Sequence, residues 1–146
     1  MPFTAMNNLA AGDLVTEADM DALRGNIDYL NSPNVVYAGV GALTTTSTTS
    51  ANIAGLSAVH TAYGGVSLIC ATMHHDRQTV NSGNANYGLY VDSTMVRKVT
   101  GILDDEYLVF VYATAMASGA HIIKTQWAMD WNTGGIYTGY LWVMGG

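Results

Sequence analysis

The run Tyr107-Leu108-Val109-Phe110-Val111-Tyr112-Ala113-Thr114-Ala115-Met116 decides the fold class. Side chains alternate across a strand, so Tyr107, Val109, Val111 and Ala113 share one face and Leu108, Phe110, Tyr112 and Thr114 the other. A strand with one wet face alternates between apolar and polar, whereas this one is largely apolar on both, as expected of a strand covered on both sides. Working outward, period two holds from Val35 to the end of the chain. It predicts strands at 35–40, 44–50, 52–60, 65–73, 85–91, 94–102, 106–116, 121–130 and 135–144. The tract Thr44-Thr45-Thr46-Ser47-Thr48-Thr49 is β-branched and polar, which suits an exposed or edge strand. Trp127, Met129 and Trp131 alternate, then Tyr140 and Trp142 oppose Leu141 and Val143, and Gly134-Gly135 is expected to form a tight hairpin turn between them. Many short strands at regular spacing predict a mainly β fold. We expect an antiparallel β-sandwich or jelly roll over residues 34–146.

Before Val35 the pattern differs. Residues 16–31, TEADMDALRGNIDYLN, predict the chain's one short α-helix. Thr16 is placed to cap it, with Asp19 three residues on in the position of a capping-box acid. Glu17, Asp19 and Asp21 suit the positive end of its dipole. Met20, Leu23, Ile27 and Leu30 recur at spacings of three, four and three, a narrow a/d seam rather than a broad core-facing stripe. Pro33 stops the helix. Two heptads are too short to associate alone, so the seam is expected to serve as an oligomer interface held within a larger assembly; packing on its own domain is the alternative. Residues 1–15 have no period, yet carry Phe3, Met6, Leu9, Leu14 and Val15 and no charge before Asp13. A free tail is usually richer in charge and poorer in apolar groups. This N-terminal arm is expected to order against a neighbour as an attachment segment, or to fold back over its own sandwich. The chain thus reads as an arm (1–15), a short helix and linker (16–33) and a β-sandwich domain (34–146).

Composition narrows the function classes. The chain has 146 residues, enough for one domain with a real core. Charged residues make up 11%, against a usual share near 25%. In their place stand 16 Thr, 16 Gly, 10 Asn and 8 Ser. No run approaches the ~18 apolar residues of a membrane helix, and MPFTAMNNLAAGD lacks the basic start and apolar core of a signal peptide. No membrane insertion is expected. Net charge is −6, and the five basic residues are Arg24, Arg77, Arg97, Lys98 and Lys124. A phosphate-tracking surface needs clustered Lys and Arg, so nucleic acid is not an expected partner. Cys70 is the single cysteine, which excludes an intrachain disulfide, and its apolar run from Val66 to Ala71 marks it as a small buried hydrophobe. Low charge, the seam and strands apolar on both faces leave surface that one domain of this size cannot easily hide. A homo-oligomer is expected, with a trimer favoured.

Chemistry-bearing groups are sparse. His74-His75-Asp76 is the one cluster with metal-ligating chemistry, but alternation allows at most one His to converge with Asp76, and no third ligand stands at a supporting spacing. It reads as a polar loop at the end of strand 65–73. No G-x-S-x-G elbow supports a nucleophile. Asp104-Asp105-Glu106 reads as a solvated turn, not a calcium site, and Gly83-Asn84-Ala85-Asn86 precedes no helix that would make it a phosphate loop. A glycan hydrolase needs two carboxylates at a fixed gap, and Asp76, Asp92, Asp104, Asp105, Glu106 and Asp130 show no such pairing. Trp127, Trp131 and Trp142 suit core and subunit-interface packing, with a sugar-stacking platform as the alternative. No catalytic residue, metal or cofactor is expected.

The stretch Ala11-Gly12-Asp13-Leu14-Val15-Thr16-Glu17-Ala18-Asp19-Met20, followed by Leu23-Arg24-Gly25-Asn26-Ile27-Asp28-Tyr29-Leu30, resembles the leader of many tailed-bacteriophage virion proteins. There a phrase similar to G-x-x-V-T-A-x-x-[LM]-[ND] introduces a helix ending in [DG]-N-[IL]-x-x-L. Glu17 stands where Ala is common, and Asp21 near the position where Asn is common. The resemblance covers residues 11–30. It implies a non-enzymatic component of the particle surface, such as a capsid decoration protein or a short fibre or tail attachment protein. Its implied partners are other virion proteins, capsid or tail components, and a host-surface glycan. A carbohydrate-binding, lectin-like module is the alternative.

Overall fold

The computed structural model describes residues 16–18, 20–23, 34–76, 83–102 and 105–145. The chain divides after Asn34 into two units. In the first, residues 17–18 and 20–23 are helical, and the Met20 N–H donates to the Thr16 carbonyl at 3.2 Å. Met20 and Leu23 of the expected seam are 49% and 39% exposed. Ile27 and Leu30 lie outside the described residues, as do Phe3, Met6, Leu9, Leu14 and Val15 of the expected arm.

The second unit is an antiparallel β-sandwich. Its strands are β1 (Val35–Val40), β2 (Leu43–Thr45), β3 (Ala51–Ala62), β4 (Val66–Asp76), β5 (Ala85–Val91), β6 (Thr94–Ile102), β7 (Tyr107–Ala115), β8 (Gly119–Met129) and β9 (Gly134–Gly145). One sheet has the order β1-β9-β4-β7, with β2 also paired to β9; the other has the order β3-β8-β5-β6. Leaving aside the short β2, the pairings nest: β1 with β9, β3 with β8, β4 with β7 and β5 with β6. The chain is wound as one long hairpin rolled over on itself.

The core lies between the sheets and follows the period-two pattern. Ile69, Ala71 and Met73 point inward from β4, Leu108 and Phe110 from β7, Leu141 and Val143 from β9, and Tyr87 and Leu89 from β5. Each large aliphatic or aromatic side chain removed from water here contributes roughly 1.5–3 kcal/mol. In β3 the alternation is interrupted: Ile53 and Leu56 are both buried although three residues apart. A bulge between Asn52 and Ser57 absorbs the extra residues, and Gly55 at φ +81° supplies the left-handed turn it needs.

Several expectations are corrected here. The threonine tract is strand only to Thr45. Ser47 N–H then donates to Thr45 Oγ1 and Ser47 Oγ to the Thr49 carbonyl, so hydroxyls take backbone partners that a ladder would otherwise supply. Gly134 and Gly135 are not a turn. They open β9, pair with Thr45 and Thr44, and follow a bend in which Asn132 takes φ +65°. Nor do β8 and β9 form a hairpin, because they belong to different sheets. Cys70 is only half-buried, on the outward side of β4.

Candidate functional site

Two features of the sandwich unit carry chemistry: the outward face of the first sheet, and a set of polar ties between and beside the sheets.

The register aligns outward residues in rows across β1, β9, β4 and β7. One row is Val35, Met144, Leu68 and Ala113; the next is Tyr37, Trp142, Cys70 and Val111; the next is Gly39, Tyr140, Thr72 and Val109. A final row brings His74 beside Tyr107. None of these residues is Asp, Glu, Lys or Arg. Tyr107 is 78% exposed, Val109 63%, Tyr37 57% and Val111 56%. The rings of Tyr37, Tyr140 and Trp142 lie together at 5.6–6.2 Å between centroids, and His74 stacks on Tyr107 at 4.1 Å. Four strands at ~4.8 Å spacing and a length of about nine residues give a face of roughly 600 Å² in projection. That equals the largest apolar patch on an ordinary monomer and approaches one partner's share of a standard interface, about 800 Å². The sequence pattern of β7 marked both of its faces as apolar; among the described residues of the sandwich unit only the inward one is covered.

The polar ties sit at both ends of the core. Near the β3–β4 connection, His60 Nε2 and Ser67 Oγ lie 3.1 Å apart, both groups buried, joining the two sheets. At the far end of β4, His75 Nδ1 lies 2.7 Å from the Tyr87 hydroxyl, which is 3.4 Å from the Gly135 carbonyl. With its proton on Nδ1, His75 donates to Tyr87, and Tyr87 donates to Gly135. The other nitrogens, His60 Nδ1 and His75 Nε2, take no partner among the described residues. Burial pushes both imidazole pKa values down and the Tyr87 phenol up, so all three stay neutral. These are ties of the core, with no open approach to them.

The His74-His75-Asp76 cluster is therefore not a loop but the end of β4. A register shift between His74 and His75 breaks the alternation, and His75 and Asp76 are both buried while His74 faces outward. Asp76 accepts a hydrogen bond from the exposed Tyr137 hydroxyl, which raises that phenol's pKa. Among the described residues no three His, Cys, Asp or Glu side chains converge as metal ligands. Trp127 is core, Trp142 belongs to the outward face, and Trp131 is exposed beyond β8.

A third tie lies on the surface. Asp92, at φ +55° in the β5–β6 turn, accepts from the Ile122 N–H and from His121 Nδ1, both at 2.9 Å. His121 Nε2 lies 2.9 Å from the Ala117 carbonyl. Both partners of the ring are acceptors, so only the imidazolium satisfies them together. Accordingly the Asp92 bond, then the Ala117 bond, raise the His121 pKa, and His121 and the Ile122 N–H lower that of Asp92.

No helix among the described residues is long and apolar enough to cross a membrane. No protein-family model matches the chain, and no curated protein matches it. Among solved structures it is similar to a chain from Bacillus endospore appendages, described as a novel family of disulfide-linked pili. The TM-score is 0.36 with 11% identity, over 79% of this chain and 92% of that one. A likeness that slight carries no argument about fold or function.

Proposed function

We propose that the chain is a non-enzymatic structural protein of a tailed-bacteriophage particle surface, working as a homo-oligomer, with three copies turning their first sheets toward a common axis. One observation carries this reading: the uncharged outward face of β1, β9, β4 and β7, with Tyr107, Val109 and Val111 more than half exposed in the single chain. Water is an unfavourable neighbour for such a face, and a second copy offers the same uncharged chemistry. The nested strand order supports a jelly-roll winding, an architecture used by viral capsid and lectin domains. The leader phrase of residues 11–30 supplies the phage assignment, and the apolar arm with Phe3, Met6, Leu9, Leu14 and Val15 is the segment that attaches to capsid or tail components. The seam of Met20, Leu23, Ile27 and Leu30 adds a second contact between copies.

Light scattering at micromolar concentration tests the assembly: a trimer mass is expected, and a monomer refutes it. Deleting residues 1–13 tests attachment. The sandwich should stay folded while binding to the particle is lost; normal binding of the truncated protein would disprove the role of the arm.

A further inference from the structure

We propose that the outer face of the second sheet carries a saccharide-binding groove, floored by Gly88 and walled by Asn86, Tyr90, Lys98 and Asp130. This goes beyond the assembly role and stands on a different sheet. The groove encloses about 330 Å³ between the outward side chains of β5, β6 and the end of β8, the lower size at which small-molecule sites occur.

Its floor is a missing side chain. Gly88 pairs with Lys98 on β6 and Gln126 on β8, in the middle of the sheet. Its φ is not in the left-handed region, so the backbone would accept any residue and the demand for glycine is one of space. A Cβ at this position would stand 2.9 Å from the Tyr90 ring and 3.6 Å from Met95 Sδ. Glycine inside a strand often marks a close approach, and here the close neighbour is the Tyr90 ring, which the missing side chain lets lie low across the sheet as the apolar side of the groove.

The walls select the ligand class. Asn86 Nδ2 donates to Asp130 Oδ1 at 2.8 Å, which holds the two side chains in place and leaves Asn86 Oδ1 and Asp130 Oδ2 available as acceptors. Lys98 brings three donors on the other side, and the ion pair found among the described residues, His121 with Asp92, does not involve it. Tyr90 and Met95 supply an apolar wall. An anionic ligand drawn to Lys98 would meet the Asp130 carboxylate, and an apolar one would strip water from both charges without replacing it. Sugar hydroxyls each donate and accept, so neighbouring hydroxyls serve the Asn86–Asp130 pair and Lys98 together, while the C–H face of the ring packs on Tyr90. The ligand is thus a neutral hexose-type saccharide.

The test applies the full chain to a printed array of neutral and acidic oligosaccharides, with each retained oligosaccharide then titrated in solution. A subset of neutral chains should bind. Asp130→Ala and Lys98→Met should each weaken binding at least tenfold without changing melting temperature or oligomer mass, and Gly88→Val should abolish it. The proposal is overturned if the wild type retains no array member, if binding survives both exposed-residue variants, or if only acidic chains bind. Should Gly88→Val fail to fold, the two exposed-residue variants decide alone. A monomer that binds sugar would refute the assembly reading and leave this one standing.

Discussion

Replacing Val109 and Val111 with lysine separates assembly from folding. Both side chains lie outward on β7, opposite Thr72 and Cys70 of β4, and are 63% and 56% exposed in the single chain. Fully burying a valine contributes roughly 1.5–3 kcal/mol. More than half of that remains to be gained at these two positions, about 1 kcal/mol each per subunit. In Val109→Lys/Val111→Lys the gain is lost, and two ammonium groups must either stay unpaired in an apolar interface or stretch to its rim. A total of at least ~3 kcal/mol per subunit follows, which is more than a hundredfold in the association constant. The inward neighbours Leu108 and Phe110 are untouched, so the fold itself should change by no more than ~0.5 kcal/mol, as at ordinary surface sites. Sedimentation velocity at low micromolar concentration, beside a thermal melt, reads both quantities. Val59→Lys on β3, a 61% exposed valine of the other sheet, serves as control and should assemble normally. If the double variant keeps the wild-type oligomer mass while folded, the first sheet is not the assembly face and the reasoning fails.

The remaining predictions are smaller in scope. His121 has a raised pKa when folded, so its bond to Asp92 stabilises fully below pH 6.5 for as long as Asp92 stays ionised, and is lost as pH rises through the raised value; His60 and His75 have lowered ones, so their contribution is full above pH 6.5 and is lost as pH falls through and below it. Melting temperature should therefore decline on both sides, and His121→Gln should abolish the alkaline decline while leaving the acid decline due to His60 and His75; an unchanged alkaline profile would contradict the His121–Asp92 tie. Tyr87→Phe leaves His75 Nδ1 and the Gly135 carbonyl without their partner and should cost ~1–3 kcal/mol in urea denaturation. Leu23→Asp should cost several kcal/mol of assembly if the seam is an interface, whereas unchanged oligomer mass and melting temperature would mark the helix as solvent-facing.

How much of this was legible in the sequence depends on the range of the interactions involved. Eight of the nine strands lie close to where alternation and the turn residues between them place them, because burying one face imposes period two locally whatever the partner, although β3 and the end of β4 depart from it. Alternation does not say which strands are neighbours. Gly134-Gly135 looks like a hairpin turn because β8 and β9 are adjacent in sequence, yet β8 pairs with β3 and β5, and β9 with β1, β2 and β4. The burial of Asp76 was equally hidden, since the register shift that turns it inward is set by pairing with β9. The apolar outward face was half legible: β7 and the end of β9 showed it, but Cys70 read as core until β4 was placed beside them. The groove left one mark, a glycine between Tyr87 and Leu89, and its walls come from strands joined only by the fold.

The two outer faces explain a composition that looks at first like a deficit. Only 11% of residues are charged, and on the strands described those charges avoid the first sheet's outward side. The second sheet is surfaced differently: Gln126 donates to Asn52 and Asn86 to Asp130, each at 2.8 Å, with Lys98 and Lys124 beside them. Amides and hydroxyls keep that face wet without strong fields, so copies assembled as proposed would approach closely despite a net charge of −6. A monomer under selection for solubility would spread its few charges over both sheets. Keeping them off one sheet is what the proposed assembly would require, since a face that other copies cover needs no charge.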